Sequence, residues 1–196
     1  MKLVLASSNA GKLVELGGLL GYGYELHAQS EFGVTDADET GLSFVENAIL
    51  KARHAACATG LPALGDDSGL CVDALDGAPG LYSARYAGHH GDAEANIDRL
   101  LSELERIDET QRTARFVCVL ALVRHANDPR PLIAEGVWEG RILDARRGAH
   151  GFGYDPVFFS PAHGCSASEL DAPTKNRDSH RGLALARLRA LLNASL

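Results

Sequence analysis

The stretch Pro62-Ala63-Leu64-Gly65-Asp66-Asp67-Ser68-Gly69-Leu70-Cys71-Val72 sets two adjacent carboxylates, a hydroxyl and two glycines between short apolar runs. The pattern reads as the tip of a strand-turn-strand with the acids on the turn. Neighbouring carboxylates repel unless a cation, a basic side chain or a proton lies between them, so something positive is expected there. One reading is a hard-metal site, because carboxylate oxygens and a Ser hydroxyl suit Mg²⁺ or Mn²⁺. The other is an ordinary Asp-rich turn closed by glycines. Taken alone the stretch reads as the turn, and only its neighbours bring in the metal.

Upstream, Asp36-Ala37-Asp38-Glu39-Thr40-Gly41 is acidic and precedes a strong helix start. Ser43-x-x-Glu46 is a capping box, and Phe44, Val45, Ala48, Ile49, Ala52, Ala55 and Ala56 give an apolar helical stripe ending before Gly60. Asn47 and Lys51 then share a helix face and stiffen whatever Glu39 or Asp38 builds with Asp67. At the chain start, the apolar run to Ala6 leads into Ser7-Ser8-Asn9-Ala10-Gly11-Lys12 and a helix carrying Leu13, Leu16, Leu19 and Leu20. Strand, small-residue turn and helix form a miniature phosphate cradle, with helix-start N–H groups and Lys12 facing an anion. It lacks the spacing of a Walker loop, and a plain Ser/Asn N-cap accounts for it equally.

Downstream, Asp76 to Gly80 reads as a loop delivering Tyr82-Ser83-Ala84-Arg85-Tyr86, either a phosphate or stacking cluster or a surface strand. Asp92 caps a packing helix with Ile97, Leu100, Leu101 and Leu104 on one face. Ala114 to Val123 suits a central strand buried on both faces. Asp128 to Pro131 turns the chain into one or two strands over Leu132 to Leu143, and Tyr24 to Gln29 offers a further strand. Gly151-Phe152-Gly153-Tyr154-Asp155-Pro156 is a glycine loop whose aromatics either stack on a base or point into the core, followed by a strand at Val157 to Phe159. Lys175, Ser179, His180 and Arg181 precede a C-terminal helix bearing Leu183, Leu185, Leu188 and Leu192. Cations at a helix start oppose its dipole, which points to a bound anion or base edge.

The chain has 196 residues, a formal charge of −7, 45% apolar and 23% charged residues. It fits one domain spanning 1–196, of one or two lobes, and its acidity argues against a nucleic-acid partner while leaving a small phosphate ester allowed. No run approaches the ~18 apolar residues of a membrane span, so a cytoplasmic protein is expected. Cys57, Cys71, Cys118 and Cys165 are scattered without zinc-site spacing.

Together these elements resemble the inosine triphosphate pyrophosphatase family, the Ham1-like bacterial dITP/XTP pyrophosphatases, over essentially the whole chain. The residues carrying the resemblance are Ser8 to Lys12, Glu39 to Phe44 with Glu46 to Ala48, Asp66 to Leu70, Gly80 to Tyr86, Gly151 to Pro156 and Ser179 to Arg181. Ser7 stands where many relatives have Thr. The resemblance implies an α/β fold, an elongated mixed β-sheet flanked by helices, with two lobes around a central active-site cleft. It implies a house-cleaning, Mg²⁺-dependent homodimer (Mn²⁺ as substitute) that cleaves non-standard purine triphosphates to monophosphate and pyrophosphate. By position, Asp67 becomes general base and metal ligand, Glu39 a metal ligand, Ser68 a substrate contact, and Ser7, Ser8, Asn9, Ala10, Gly11 and Lys12 the phosphate turn. Phe152, Gly153, Tyr154, Asp155, Lys175, His180 and Arg181 become the nucleoside pocket. Two rivals remain: a Maf-like pyrophosphatase of other base preference, and a non-catalytic nucleotide-binding module.

Overall fold

The computed structural model describes residues 2–7, 12, 13, 16, 17 and 23–194. The strands are β1 Lys2–Leu5, β2 Glu25–Ala28, β3 Ala63–Val72, β4 Thr113–Val123, β5 Leu132–Ile142, β6 Phe158–Ser160 and β7 Cys165–Ser166. The helices are α1 Phe44–Thr59, α2 Ala93–Glu103, α3 Ala172–Asp178 and α4 His180–Ala194, beside several short 3-10 turns. Ser8, Asn9, Ala10 and Gly11 of the expected phosphate turn, with Leu19 and Leu20, lie outside the described residues; Lys12, Leu13, Leu16 and Gly17 are helical. Among the described residues the strands form one sheet of order β2-β1-β3-β4-β5-β6-β7. β1 runs parallel to β2 and β3, and β6 antiparallel to β5 and β7. This is the mixed α/β sheet expected.

The central expectation about β3 needs correction. Asp66 and Asp67 do not sit on a turn: Ala63–Val72 is a single ten-residue strand that passes straight through them. The glycine read as a turn former has another purpose. A Cβ on Gly65 would lie 2.1 Å from the Ala48 carbonyl oxygen and 2.9 Å from the Ala52 nitrogen, so the strand meets the backbone of α1 where no side chain fits. Gly65→Ala is therefore expected to cost about 2 kcal/mol of stability by overpacking. Urea denaturation measures it, and an unchanged midpoint contradicts the close approach.

The chain divides into two compact units. The first comprises Met1–Asp67, Cys118–Gly136 and Arg181–Leu196, and the second Ser68–Val117 and Val137–His180. In the first unit, Leu3, Leu5, Leu64, Cys118 and Leu120 pack with Leu185 and Leu188 of α4. The opposite sheet face packs Val4, Ala63 and Val123 with Ala52, Ala55 and Ala56 of α1. Ser43 caps α1, accepting from the Glu46 N–H, and Gly60 closes it at φ 68°. The second unit has its own core of Leu70, Ile97, Leu100, Phe116, Trp138 and Phe158. Tyr82 to Tyr86, read as a possible surface strand, instead lies in and at the end of a 3-10 helix, Gly80–Arg85. Ser83 there accepts from the Leu70 N–H at 2.9 Å and donates to the Gly80 carbonyl at 2.6 Å, bracing β3.

Candidate active site

Successive strand residues face opposite sides of a sheet, and this parity separates the two acids of β3. Leu64 and Asp66 point to the α4 side, while Ala63, Gly65 and Asp67 point to the α1 side. Neighbours in sequence, they meet different surroundings.

On the α1 side, the Lys51 ammonium lies 2.6 Å from Asp67 Oδ1 and 2.5 Å from Glu39 Oε1. It also donates to the Asp66 carbonyl at 3.3 Å. Asn47, one turn earlier on α1, donates to Asp67 Oδ2 at 3.3 Å and accepts the Gly41 N–H at 2.8 Å. Burial pushes the Asp67 carboxyl above its ordinary value, and the Lys51 charge offsets this only in part. For Lys51 itself, burial favours the neutral amine, yet Asp67 and Glu39 outweigh it and hold the ammonium charged.

On the α4 side, Asp66 is fully buried between Lys12, whose Nζ lies 3.2 Å from Oδ1, and Arg181, whose Nε donates to Oδ2 at 3.1 Å. The Cys118 thiol approaches at 3.9 Å. Burial alone would raise the Asp66 carboxyl, but Lys12 and Arg181 hold it well below the usual range. Asp66 is thus a strut held in its charged form, and Asp67 is the acid of the pair whose proton affinity burial raises. The positive partner that the paired acids demanded is supplied by Lys51 on one face and Lys12 with Arg181 on the other. The same pairing explains why cations open α4: Arg181 neutralises a buried carboxylate, which outweighs the helix dipole.

Glu39 and Asp67 converge on the Lys51 ammonium, which fills the position between them, and their carboxylate oxygens are donors of the kind a hard divalent ion takes. Among the described residues no group of three or more His, Cys, Asp or Glu forms a metal cage. Of the two acids weighed in the acidic loop, Glu39 reaches Lys51, and Asp38 is exposed.

In the second unit, Asp155 is buried and accepts the Phe152 N–H at 2.7 Å and the Lys175 ammonium at 2.5 Å. Lys175 also lies over the Phe152 ring, 4.8 Å from its centre. Phe152 itself is 55% exposed, a flat face held out from the loop. Gly151 has φ 85°, and a Cβ there would stand 2.3 Å from Asp155 Oδ2, so the loop closes only over glycine. The Tyr154 side chain turns inward, its hydroxyl donating to the Ser83 carbonyl at 2.9 Å, and so belongs to the core. His180 stacks on Phe116 at 4.8 Å with planes 14° apart. Lys175 does not merely precede the terminal helix: it lies on the separate helix α3, which the sequence reading had not distinguished. Ser68 follows Asp67 in β3, and Ser7 follows β1, both half-buried.

The sequence signature of the Ham1 family matches residues 3–191. The chain belongs to the Ham1 family. Among its curated relatives, the dITP/XTP pyrophosphatase of Thioalkalivibrio sulfidiphilus is 61% identical over 94% of this chain and 95% of its own length. That of Pseudomonas aeruginosa is 59% identical over 97% and 96%. A HAM1 protein from Coxiella burnetii, 51% identical, superposes with TM-score 0.94 over 99% of both chains. The Ham1 resemblance stated from the six motifs is therefore borne out, as is the mixed sheet flanked by helices.

Lys51 and Asn47 were legible only as helix neighbours of an acidic site; their direct contact with Asp67 makes them its principal partners. The capping box was the signal, because it sets the phase of α1 and puts positions 47 and 51 on one face. Nothing in the sequence pointed to Cys118 beside Asp66.

Proposed function

We infer that this Ham1-family chain hydrolyses non-standard purine nucleoside triphosphates, dITP, ITP and XTP, to the monophosphate and pyrophosphate. The observation that carries the reading is the Glu39, Lys51 and Asp67 cluster, in a chain 61% identical to a dITP/XTP pyrophosphatase. We further propose Mg²⁺, with Mn²⁺ as substitute, as the metal held by Glu39 and Asp67, a homodimer as the working form, the cytoplasm as its compartment, and 1–196 as one functional domain. Among the described residues no helix is long and apolar enough to cross a membrane.

When bound, the metal supplies charge neutralisation on the phosphate oxygens. The chain's own groups supply the rest. Asp67, with its raised proton affinity, accepts a proton from the attacking water as oxygen bonds to the α-phosphorus and the bond to pyrophosphate breaks. Lys51 and Asn47 fix the Asp67 carboxylate so that it presents an oxygen without rotating. Lys12, with the turn from Ser7 to Gly11, steadies the departing pyrophosphate. Phe152 offers a stacking face for the base, Gly153 a close backbone approach, and Lys175 and His180 donors for a purine 6-keto oxygen. An adenine amino group would leave such donors unpaired, at about 1–3 kcal/mol for each.

Pyrophosphate release from a panel of triphosphates, with and without Mg²⁺, tests this. The expected result is a kcat/KM for dITP at least about 10²-fold above that for ATP, and no turnover without the divalent ion. A preference for dTTP or UTP would establish the Maf-like reading instead, and binding of ITP without pyrophosphate release would establish a binding module.

A further inference from the structure

In the hairpin that joins β6 to β7, His163 lies between two partners. Its Nδ1 is 2.9 Å from Ser160 Oγ, and its Nε2 is 3.0 Å from Asp178 Oδ2. A carboxylate only accepts, so Nε2 carries a hydrogen and donates it to Asp178, while Nδ1 and the Ser160 hydroxyl share the second hydrogen bond. The order Ser, His, Asp imitates a hydrolytic triad, but Ser160 is completely buried and no acyl group reaches it. The arrangement is a tether.

What it tethers is α3. Asp178 and Lys175 are three residues apart on that helix and so share a side. Lys175 grips Asp155, and Asp155 in turn accepts the Phe152 N–H. The hairpin end is rigid on its own account: the His163 and Gly164 N–H groups both donate to the Ser160 carbonyl, at 3.2 and 2.9 Å, and Gly164 takes φ 68°. A closed circuit results, from the Phe152 to Asp155 loop through Lys175, α3, Asp178 and His163 to Ser160 at the end of β6, the strand that follows that loop.

We propose that His163 is a positioning residue for nucleoside recognition, clasping α3 through Asp178 so that Lys175 holds the Phe152 loop in its binding position. The inference rests on the assignment of that loop to the nucleoside. It places in the selectivity machinery a side chain that touches no substrate.

The test uses the full chain in its Mg²⁺-loaded form and in its metal-free form. His163→Ala is expected to raise KM for dITP about 5-fold, the worth of one hydrogen bond, with kcat retained. Amide exchange across residues 172–178 should accelerate by a similar factor in the metal-free protein. His163→Gln, whose amide still donates to Asp178, should restore both. Trp138, the sole tryptophan, meets the His163 ring edge-on at 6.4 Å, so its fluorescence reports whether the hairpin keeps its place in each variant. Unchanged KM and exchange in His163→Ala overturn the proposal, as does a joint fall in kcat and kcat/KM that Gln does not rescue. If the wild-type enzyme prefers a pyrimidine triphosphate, the purine assignment fails separately, and the same KM split on that substrate together with the exchange data decides the clasp.

Discussion

Asp67→Asn is expected to lower kcat by about 10³-fold, the contribution of a positioned general base, while the protein keeps its native circular dichroism. The amide preserves the shape of the carboxylate and its contact with Asn47, and Lys51 retains Glu39 as a partner, so the loss falls on chemistry. Titration carries the same signature. Burial raises the Asp67 carboxyl above the ordinary value of about 3.9, so its proton is bound at a higher pH than for an exposed acid. ¹³C titration of the metal-free protein should accordingly find this carboxyl displaced upward from the ordinary value. Near-normal turnover by the Asn variant removes Asp67 from the mechanism.

Arg181→Met is expected to destabilise the protein by about 3 kcal/mol, because it strips one of two cations from a buried carboxylate. The deficit depends on pH, and its direction follows from Asp66. In the wild-type protein that carboxyl is held down by Lys12 and Arg181 against the effect of burial. Its stabilisation is therefore complete above the unfolded-state value of about 3.9 and lost as pH falls through the depressed folded value. In the Met variant the folded carboxyl rises, so the gap between variant and wild type is widest near neutrality and narrows below about pH 4. Chemical denaturation at several pH values measures the gap, and a deficit independent of pH would deny the pair its electrostatic role.

The helices were the readable part of the chain. The Ser43-x-x-Glu46 cap and Gly60 announced both ends of α1, and Asp92 announced the start of α2, because caps satisfy backbone groups locally and leave a local mark. β3 was misread for a long-range reason. Glycine beside two acids is a turn signal in isolation, and only the presence of the α1 backbone against Gly65 turns it into a strand signal. The acids themselves were found, with their need for a cation, since like-charge repulsion is written in adjacency. Their division of labour was not, because it depends on strand parity and a continuous strand had not been recognised. The inward turn of the Tyr154 ring was not legible for a similar reason: a glycine-rich loop with aromatics says nothing about which ring turns toward Ser83 and which stays in the open.

The first unit takes its residues from segments far apart in the sequence: β1 and α1 from Met1–Asp67, α4 from Arg181–Leu196. During synthesis this has a cost in time. Leu3, Leu5 and Leu64 leave the ribosome long before Leu185 and Leu188 are made to cover them, and Asp66 waits equally long for Arg181. The nascent chain therefore carries a half-covered apolar sheet until α4 is made, and chaperone occupancy on translating ribosomes should persist until α4 clears the exit tunnel.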